Sequence, residues 1–298
     1  MARTIYAPST PKLTNVQLAH RGAHQRDKPR SFVSRGFRLE RVSVRSPEGF
    51  DYGWSGGCHY LSVHDIQLHD GETFSDFAGP SRRRDLRNTL TFVPAGARVW
   101  GWSIPRLEDQ FFTALYLDPG TVEEELARRV SSADSRGQIY FSNRALKASF
   151  DKINYILTSE IRDAMYLESL CLVASLEIGA ALSGKVEAQR PAGRLSRATE
   201  QKVIEFIDAN LAGDIALSDL AAVAGLSRFH FIRVFRRSFN QTPYQFVLGR
   251  RVERARALLK GGAIPVEEIA AAVGFNDAAR FSRAFRRITG VSPRLHHQ

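Results

Sequence analysis

Between residues 37 and 117, apolar and polar positions alternate with a period of two, as they do where a strand buries one face. FRLERVSV (37–44) and HYLSVHDIQL (59–68) show the alternation, while TLTFVPAG (89–96) and FFTALYL (111–117) are continuous runs of strand-forming residues. SPEG (46–49), WSGG (54–57) and HDGE (69–72) carry turn-forming residues and separate the strands. Short strands with regular turns predict a barrel or a sandwich. Residues 1–36 are basic and contain proline, and the first dozen belong to no predicted element.

From about residue 121 the period becomes helical. Thr121 precedes VEEELARRV, with Glu124 placed to close a capping box. Residues 149–182 carry two apolar stripes: Ile153, Ile156, Leu157 and Ile161, then Leu167, Leu170, Cys171, Ala174, Ile178 and Leu182. Leu172 and Val173 lie off the second stripe, so two readings stand. These helices pack on their own barrel, or they form a homodimer surface. Glu168 and Glu177 interrupt the apolar stretch 167–182, which fits a packed helix better than a membrane span. SGKVEAQRPAGRL (183–195), with its glycines, proline and mixed charges, predicts an interdomain linker.

Beyond residue 196 the chain is helical and repeats itself. LSDLAAVAGLSRFHFIRVFRRSFNQTP (217–243) is answered by VEEIAAAVGFNDAARFSRAFRRITGVSP (266–293). Gly225 matches Gly274, Arg233 matches Arg283, Phe235 matches Phe285 and Pro243 matches Pro293. Each copy reads as helix, glycine turn, helix, the helix-turn-helix that enters a major groove. Ser218 is expected to cap the first short helix, Gly225 to make its turn and Ser227 to cap the next. In the second copy these parts fall to Pro265, Gly274 and Asn276 or Asp277.

PYQFVLGRRVERARALLKGG (243–262) reads as a joining helix, begun by Pro243 and ended by Gly261 and Gly262. At about 1.5 Å per residue it is a rod of roughly 25 Å, which suits a separation near one DNA turn, ~34 Å.

Apolar spacing turns Phe231, Ile232 or Phe239, Val234 and Phe235 inward in the first copy, and Phe281, Ala284, Phe285 and Ile288 in the second. Arg228, Phe229, Arg233, Arg236 and Arg237 are left outward on one helix, and Ala279, Arg280, Arg283, Arg286 and Arg287 on the other. A single outward Arg is ordinary solvated surface. Arg at matched positions of the second helix in both copies points to phosphate or to guanine, which Arg meets with paired hydrogen bonds.

Charge supports this. The 298-residue chain has a formal net charge of +11. Residues 196–298 carry +7 of it over 103 positions, against +4 over the other 195. An acidic partner such as nucleic acid follows. The two cysteines, Cys58 and Cys171, form no metal or disulfide framework and fit a reducing, cytoplasmic setting. MARTIYAPSTPKLT has no apolar core behind its basic residues and does not read as a secretory signal.

Residues 196–298 resemble the DNA-binding domain of the AraC/XylS family of bacterial transcription regulators. AAAVGFNDAARFSRAFRRITGVSPRLH is close to that family's signature at its second helix-turn-helix, and the first copy matches too. The resemblance implies base contacts through the positions of Phe229, Ile232 and Arg233 and of Ala279, Arg280 and Arg283. It implies double-stranded promoter DNA and RNA polymerase as partners, a small-molecule effector, and most often activation.

RDLRNTLTFVPAGARVWGW (84–102) looks like the Pro-x-Gly turn of a cupin-like sensor barrel. The cupin motif falls on Asn88, Pro94, Gly96, Val99 and Ser103. Asn88 replaces the usual glycine and Val99 the metal-binding histidine, so no metal, cofactor or catalytic residue is expected. His59, His64 and His69 cannot all converge from one strand. Tyr60, Trp100, Trp102 and Phe112 either line a ligand pocket or fill the barrel core.

The expected architecture is therefore multi-domain α+β. A cupin-like β-barrel with helices (1–182) is followed by a linker (183–195). An all-α domain (196–298) then holds helix-turn-helix units at 217–239 and 266–289. Three readings remain: an effector-responsive regulator, a ligand-independent dimeric DNA-binding regulator, and an enzyme carrying a DNA-targeting domain. The enzyme is either a cupin-type oxygenase, which lacks its metal ligands here, or an alkyl-transfer repair protein. The repair protein needs an activated Cys, and only Cys58 in GGCHY offers one.

Overall fold

The computed structural model describes residues 16–20, 30–34, 36–107, 110–120, 137–159, 164–182, 193–261 and 264–296. The chain divides into two compact units, one of residues 1–162 and 170–188, the other of residues 163–169 and 189–298. The capped helix expected from Thr121 and most of the expected linker lie outside the described residues.

Among the described residues the first unit holds ten strands in two antiparallel sheets. β1 (Gln17–His20), β4 (Phe50–Ser55), β8 (Arg98–Pro105) and β6 (Leu68–Ser75) form a four-stranded sheet in that order. β10 (Gln138–Phe141), β7 (Thr89–Val93), β5 (His59–Asp65), β9 (Gln110–Leu117), β3 (Phe37–Val44) and β2 (Arg30–Ser34) form a six-stranded one. Among the described residues no pairing joins the sheets, so the expected closed barrel is an open two-sheet sandwich. One core fills the space between them, with Phe50, Trp54 and Val99 from the smaller sheet against Tyr60, Phe112 and Tyr116 from the larger.

The period-two pattern survives where one face meets water and disappears where both are covered. β7 is buried at all five positions and β9 at seven of eight. Even-numbered residues of β5 and β9 face the sandwich core, and odd-numbered ones such as Leu61 and Leu115 face the other way. Helix α1 (Arg144–Thr158) attaches to the larger sheet, with Thr113 Oγ1 donating to Asn154 Oδ1 at 2.5 Å and Arg30 Nη1 to the Thr158 carbonyl at 2.6 Å. Asn143 caps α1, and Leu146, Phe150, Ile153 and Leu157 are buried along it. This is why TLTFV and FFTALYL read as unbroken apolar runs.

Two expectations change. HDGE is not a turn: Gly71 lies inside β6, where a Cβ would stand 2.9 Å from the Trp102 carbonyl of β8. Leu172 and Val173 of helix α2 (Ala164–Leu182) are buried within the chain's own fold, which removes the outward face that suggested a dimer surface. α2 is apolar and long enough to span a membrane by length and composition, and most of it is buried in the protein. Asn88 adopts φ 58, the left-handed conformation for which glycine is usual at that point of the cupin motif.

His59 and His64 lie on opposite faces of β5, and His69 is exposed. No group of three metal-ligating side chains occurs among the described residues. Burial lowers both β5 histidines to about 4 from the ordinary 6.5. The folded chain keeps them neutral, while the unfolded chain protonates them as pH falls below 6.5. Their contribution to stability is therefore complete above about pH 6.5 and is lost as pH falls toward 4. Urea midpoints measured across that window should fall with pH, and His64→Asn should flatten part of the slope. An unchanged slope in the variant contradicts a buried neutral ring.

The second unit is helical: α3 (Arg197–Ala209), α4 (Leu217–Val223), α5 (Arg228–Phe239), α6 (Pro243–Lys260), α7 (Val266–Ala272), α8 (Ala278–Thr289) and α9 (Pro293–His296). α6 is the expected joining helix. Pro243 stands at its first position and Thr242 closes a capping box with Gln245. It supplies Val252, Ala255 and Leu259 to a core shared with Ile269, Val273, Phe281 and Phe285.

Candidate nucleic-acid interface

Each copy of the repeat folds as helix, turn, helix, and local chemistry sets each boundary. Ser227 Oγ accepts the His230 amide at 3.2 Å and starts α5. Asp277 Oδ1 accepts the Ala279 amide at 2.8 Å and starts α8, settling the choice between Asn276 and Asp277. Ser218 is not the cap of α4. Ala216 is, and its amide is held by the Asp219 carboxylate at 3.0 Å. Gly225 (φ 65) and Gly274 (φ 82) make the turns in the left-handed region.

The two turns differ in their surroundings. A Cβ on Gly225 would meet nothing within 4 Å, whereas one on Gly274 would stand 2.3 Å from the Leu211 carbonyl and 2.9 Å from Arg251 Nη2. Arg251 donates from Nε to Leu211 O at 3.0 Å and from Nη2 to Gly213 O at 2.7 Å. Its neighbour Arg250 forms a two-point pair with Asp208 of α3, with Nε 2.7 Å from Oδ1. Helices α3 and α6 and the α7–α8 turn thus meet at one place.

On α8 the expected outward set is largely presented. Ala279, Arg283, Arg286 and Arg287 are exposed and Arg280 is half-buried, while Phe281 and Phe285 are buried. Ile288, expected inward, is exposed because α8 runs out of core beyond Phe285.

α5 corrects more. Phe229 and Ile232 are completely buried, so neither side chain reaches a base. Five of the helix's first eight residues are buried, a face too wide for the one-stripe pattern used to sort them. Arg228 is also withdrawn. It pairs with Glu168, and both side chains are largely covered, at 15% and 13% exposure. Glu168 lies near the start of α2, in the segment 163–169 that groups with this unit and whose Tyr166 stacks on Tyr244 at 4.5 Å. Arg233 is half-buried, and Arg236 and Arg237 are exposed in the last turn.

His230 is half-exposed and occupies the repeat position of Arg280, three residues after the cap. It matches Arg280 in place but not in kind, so the Arg pattern of the repeat does not reveal it. Its equal spacing from the helix cap, three residues beyond Ser227 as Arg280 is beyond Asp277, is the signal that does. The side chains left at least partly outward near the starts of the two second helices are therefore His230 and Arg233 on α5, and Ala279, Arg280 and Arg283 on α8. Arg236, Arg237, Arg286 and Arg287 lie farther along, where cations also complement the helix C-termini.

Comparison with known proteins agrees with this geometry. A family model described as a helix-turn-helix domain matches residues 220–296. The chain is 34% identical over 88 residues to the probable transcriptional regulator LumQ of Photobacterium leiognathi, covering 30% of this chain and 36% of that protein. It is 33% identical over 98 residues to the transcriptional regulator GbdR of Pseudomonas aeruginosa, covering 33% and 27%. Residues 220–296 form an AraC-type helix-turn-helix domain.

The chain thus spans about a third of the length of these curated relatives. Among solved structures it is similar to a probable AraC family transcriptional regulator from Rhodopseudomonas palustris, at 31% identity over 34% of this chain and 95% of that one, with a TM-score of 0.32.

The unequal turns of the AraC-type domain generate a stability test. Gly225→Ala should cost about 1–2 kcal/mol, the price of a left-handed alanine. Gly274→Ala should exceed that by roughly a further 1–3 kcal/mol, because backbone must move to admit the Cβ. Equal losses in denaturant titrations of the two variants would exclude the close approach at Leu211.

Proposed function

We propose that the protein is a sequence-specific transcription regulator, an activator that answers a small molecule bound in its N-terminal sandwich. Residues 1–182 serve as the sensor, 183–195 as the linker and 196–298 as the DNA-binding domain. The observation that carries this reading is the doubled helix-turn-helix, with Arg233 and Arg283 each six residues beyond the cap of its second helix. α6 has 18 residues, about 27 Å of helix, a spacer suited to two successive major grooves.

Within this reading, Arg280 and Arg283 address bases through α8, and His230 and Arg233 do so through α5. Arg236, Arg237, Arg286 and Arg287 hold phosphates. A sandwich with an aromatic interior cavity supports the effector, since regulation by a ligand requires a place for one to bind. Target sequences enriched from random duplexes by the full chain test the whole proposal, and absence of any enriched sequence would sink it.

On an enriched site, Arg283→Ala should weaken binding by about 1–3 kcal/mol and relax preference at one base position. Arg286→Ala should instead weaken all sequences alike and reduce the salt slope by about one. A fragment of residues 196–298 should still select the same sequence. If it selects none, base reading requires the first unit, and the proposed division of labour is wrong.

A further inference from the structure

Of the four helices that make the two helix-turn-helix units, three carry a carboxylate of their own where the helix begins. Asp219 lies in the first turn of α4, Glu267 and Glu268 in that of α7, and Asp277 caps α8. α5 differs: Ser227 caps it and its first turn holds no acidic residue. Its first residue is Arg228, a cation at the positive end of the helix dipole. The second copy has Ala278 at that position.

The anion for this helix start comes from 60 residues earlier in the chain. Glu168 Oε1 accepts from Arg228 Nη1, and both side chains are largely covered. Two residues before Glu168, Tyr166 lies nearly parallel to Tyr244 of α6, with 16° between the ring planes. Burial raises the Tyr166 hydroxyl above its ordinary value, and the charge of Arg287 on α8 opposes that rise. The start of α2 therefore packs on α5 and α6 and comes near Arg287.

α2 is one helix, yet its residues up to 169 group with the helical unit and those from 170 with the sandwich unit. In the sandwich unit, Ser149 Oγ of α1 donates to Glu177 Oε2 of α2 at 2.8 Å. Glu177 is nine residues from Glu168, about 13 Å of helical rise, so a stiff helix carries a shift at one to the other. Ser169 Oγ is buried without a hydrogen-bond partner, an unmet bond that favours release of this segment.

We propose that Glu168 is an autoinhibitory phosphate mimic: on Arg228 it holds the place of a DNA backbone phosphate, and the first reader engages fully only when the start of α2 gives way. This rests on the DNA-binding reading above and adds its regulation. A guanidinium grips carboxylate and phosphate alike with paired hydrogen bonds, so one replaces the other without leaving Arg228 an unpaired, covered charge. A phosphate also suits the start of α5, where amides without helical partners meet the positive end of the dipole. With Ala278 in the matching position, the second reader has no such latch, and the device acts on one half of the site.

Glu168→Gln keeps the shape of the side chain and removes its charge. In the full chain it should bind a random-sequence duplex about fivefold more tightly in ~0.15 M salt, with a salt slope steeper by about 0.9, as one added phosphate contact requires. Glu205→Gln, an equal change of charge at an exposed position of α3, should move both far less. Arg228→Gln should change the natural chain little, because its arginine is already engaged, and should cancel the gain of Glu168→Gln. If Glu168→Gln does not fold, Glu168→Asp, which shortens the reach of the carboxylate, takes its place and should shift affinity and slope in the same direction. Unchanged affinity and slope, or an equal gain from Glu205→Gln, overturns the proposal.

A random duplex offers phosphates whether or not the chain selects a sequence. A gain from Glu168→Gln without any enriched sequence defeats the sequence-specific reading and leaves the latch standing. An enriched sequence without a gain does the reverse.

Discussion

The carbonyl oxygen of Leu211 occupies the space where a side chain on Gly274 would begin. That single close approach organises the C-terminal domain. It requires a residue with no Cβ and a positive φ, and glycine meets both conditions at once. Arg251 then gathers the Leu211 and Gly213 carbonyls with its guanidinium, while Arg250 holds α3 through Asp208. The start of α8 is fixed against α3 and α6 together, and the directions of Arg280 and Arg283 follow from it. Gly225 has no such neighbour. Its turn depends on backbone freedom alone, although the two glycines are indistinguishable in the repeat.

The two copies also differ in how much of the second helix they keep. α8 is fully buried only at Phe281 and Phe285, whereas α5 buries Phe229, Phe231, Ile232, Val234 and Phe235. Arg228 is neutralised by Glu168. A helix covered on more than one side has fewer positions with which to meet a partner. If both copies contact DNA as proposed, α8 carries the larger share of sequence reading and α5 the smaller, with His230 and Arg233 as its outward residues near the turn.

Much of this was legible in the chain. The strands at 37–44, 89–93 and 111–117, the joining helix from Pro243 and the cap at Ser227 follow from periodicity and local hydrogen bonding, and the second cap narrows to Asn276 or Asp277. These depend on neighbours a few residues away. Other elements were not legible. β4 and β8 carry Tyr, Trp and Gly in no clear alternation, and HDGE has turn composition inside a strand, because Gly71 serves close contact with β8 rather than chain reversal. Of the four aromatics expected at a ligand site, Tyr60 and Phe112 line the interior cavity and Trp100 and Trp102 do not, because strand parity turns Val99 and Ser103 of β8 inward, which aromatic content does not reveal. The burial of Leu172, Val173, Phe229 and Ile232 depends on what packs against a second face, and an apolar stripe on one element says nothing about that.

By itself the sequence determined the class of the C-terminal domain, the two glycine turns and the concentration of arginine beyond them. Backbone conformation, capping and charge are properties of short segments, and a repeat displays them twice. Only the tertiary structure decided which residues of α5 remain outside, which faces of β5, β8 and β9 turn inward, and where the interior cavity forms. Those outcomes are set by covering surfaces that come from distant parts of the chain. Ser62 meets Thr91 and His64 meets Phe112 through strand register, which no local pattern records.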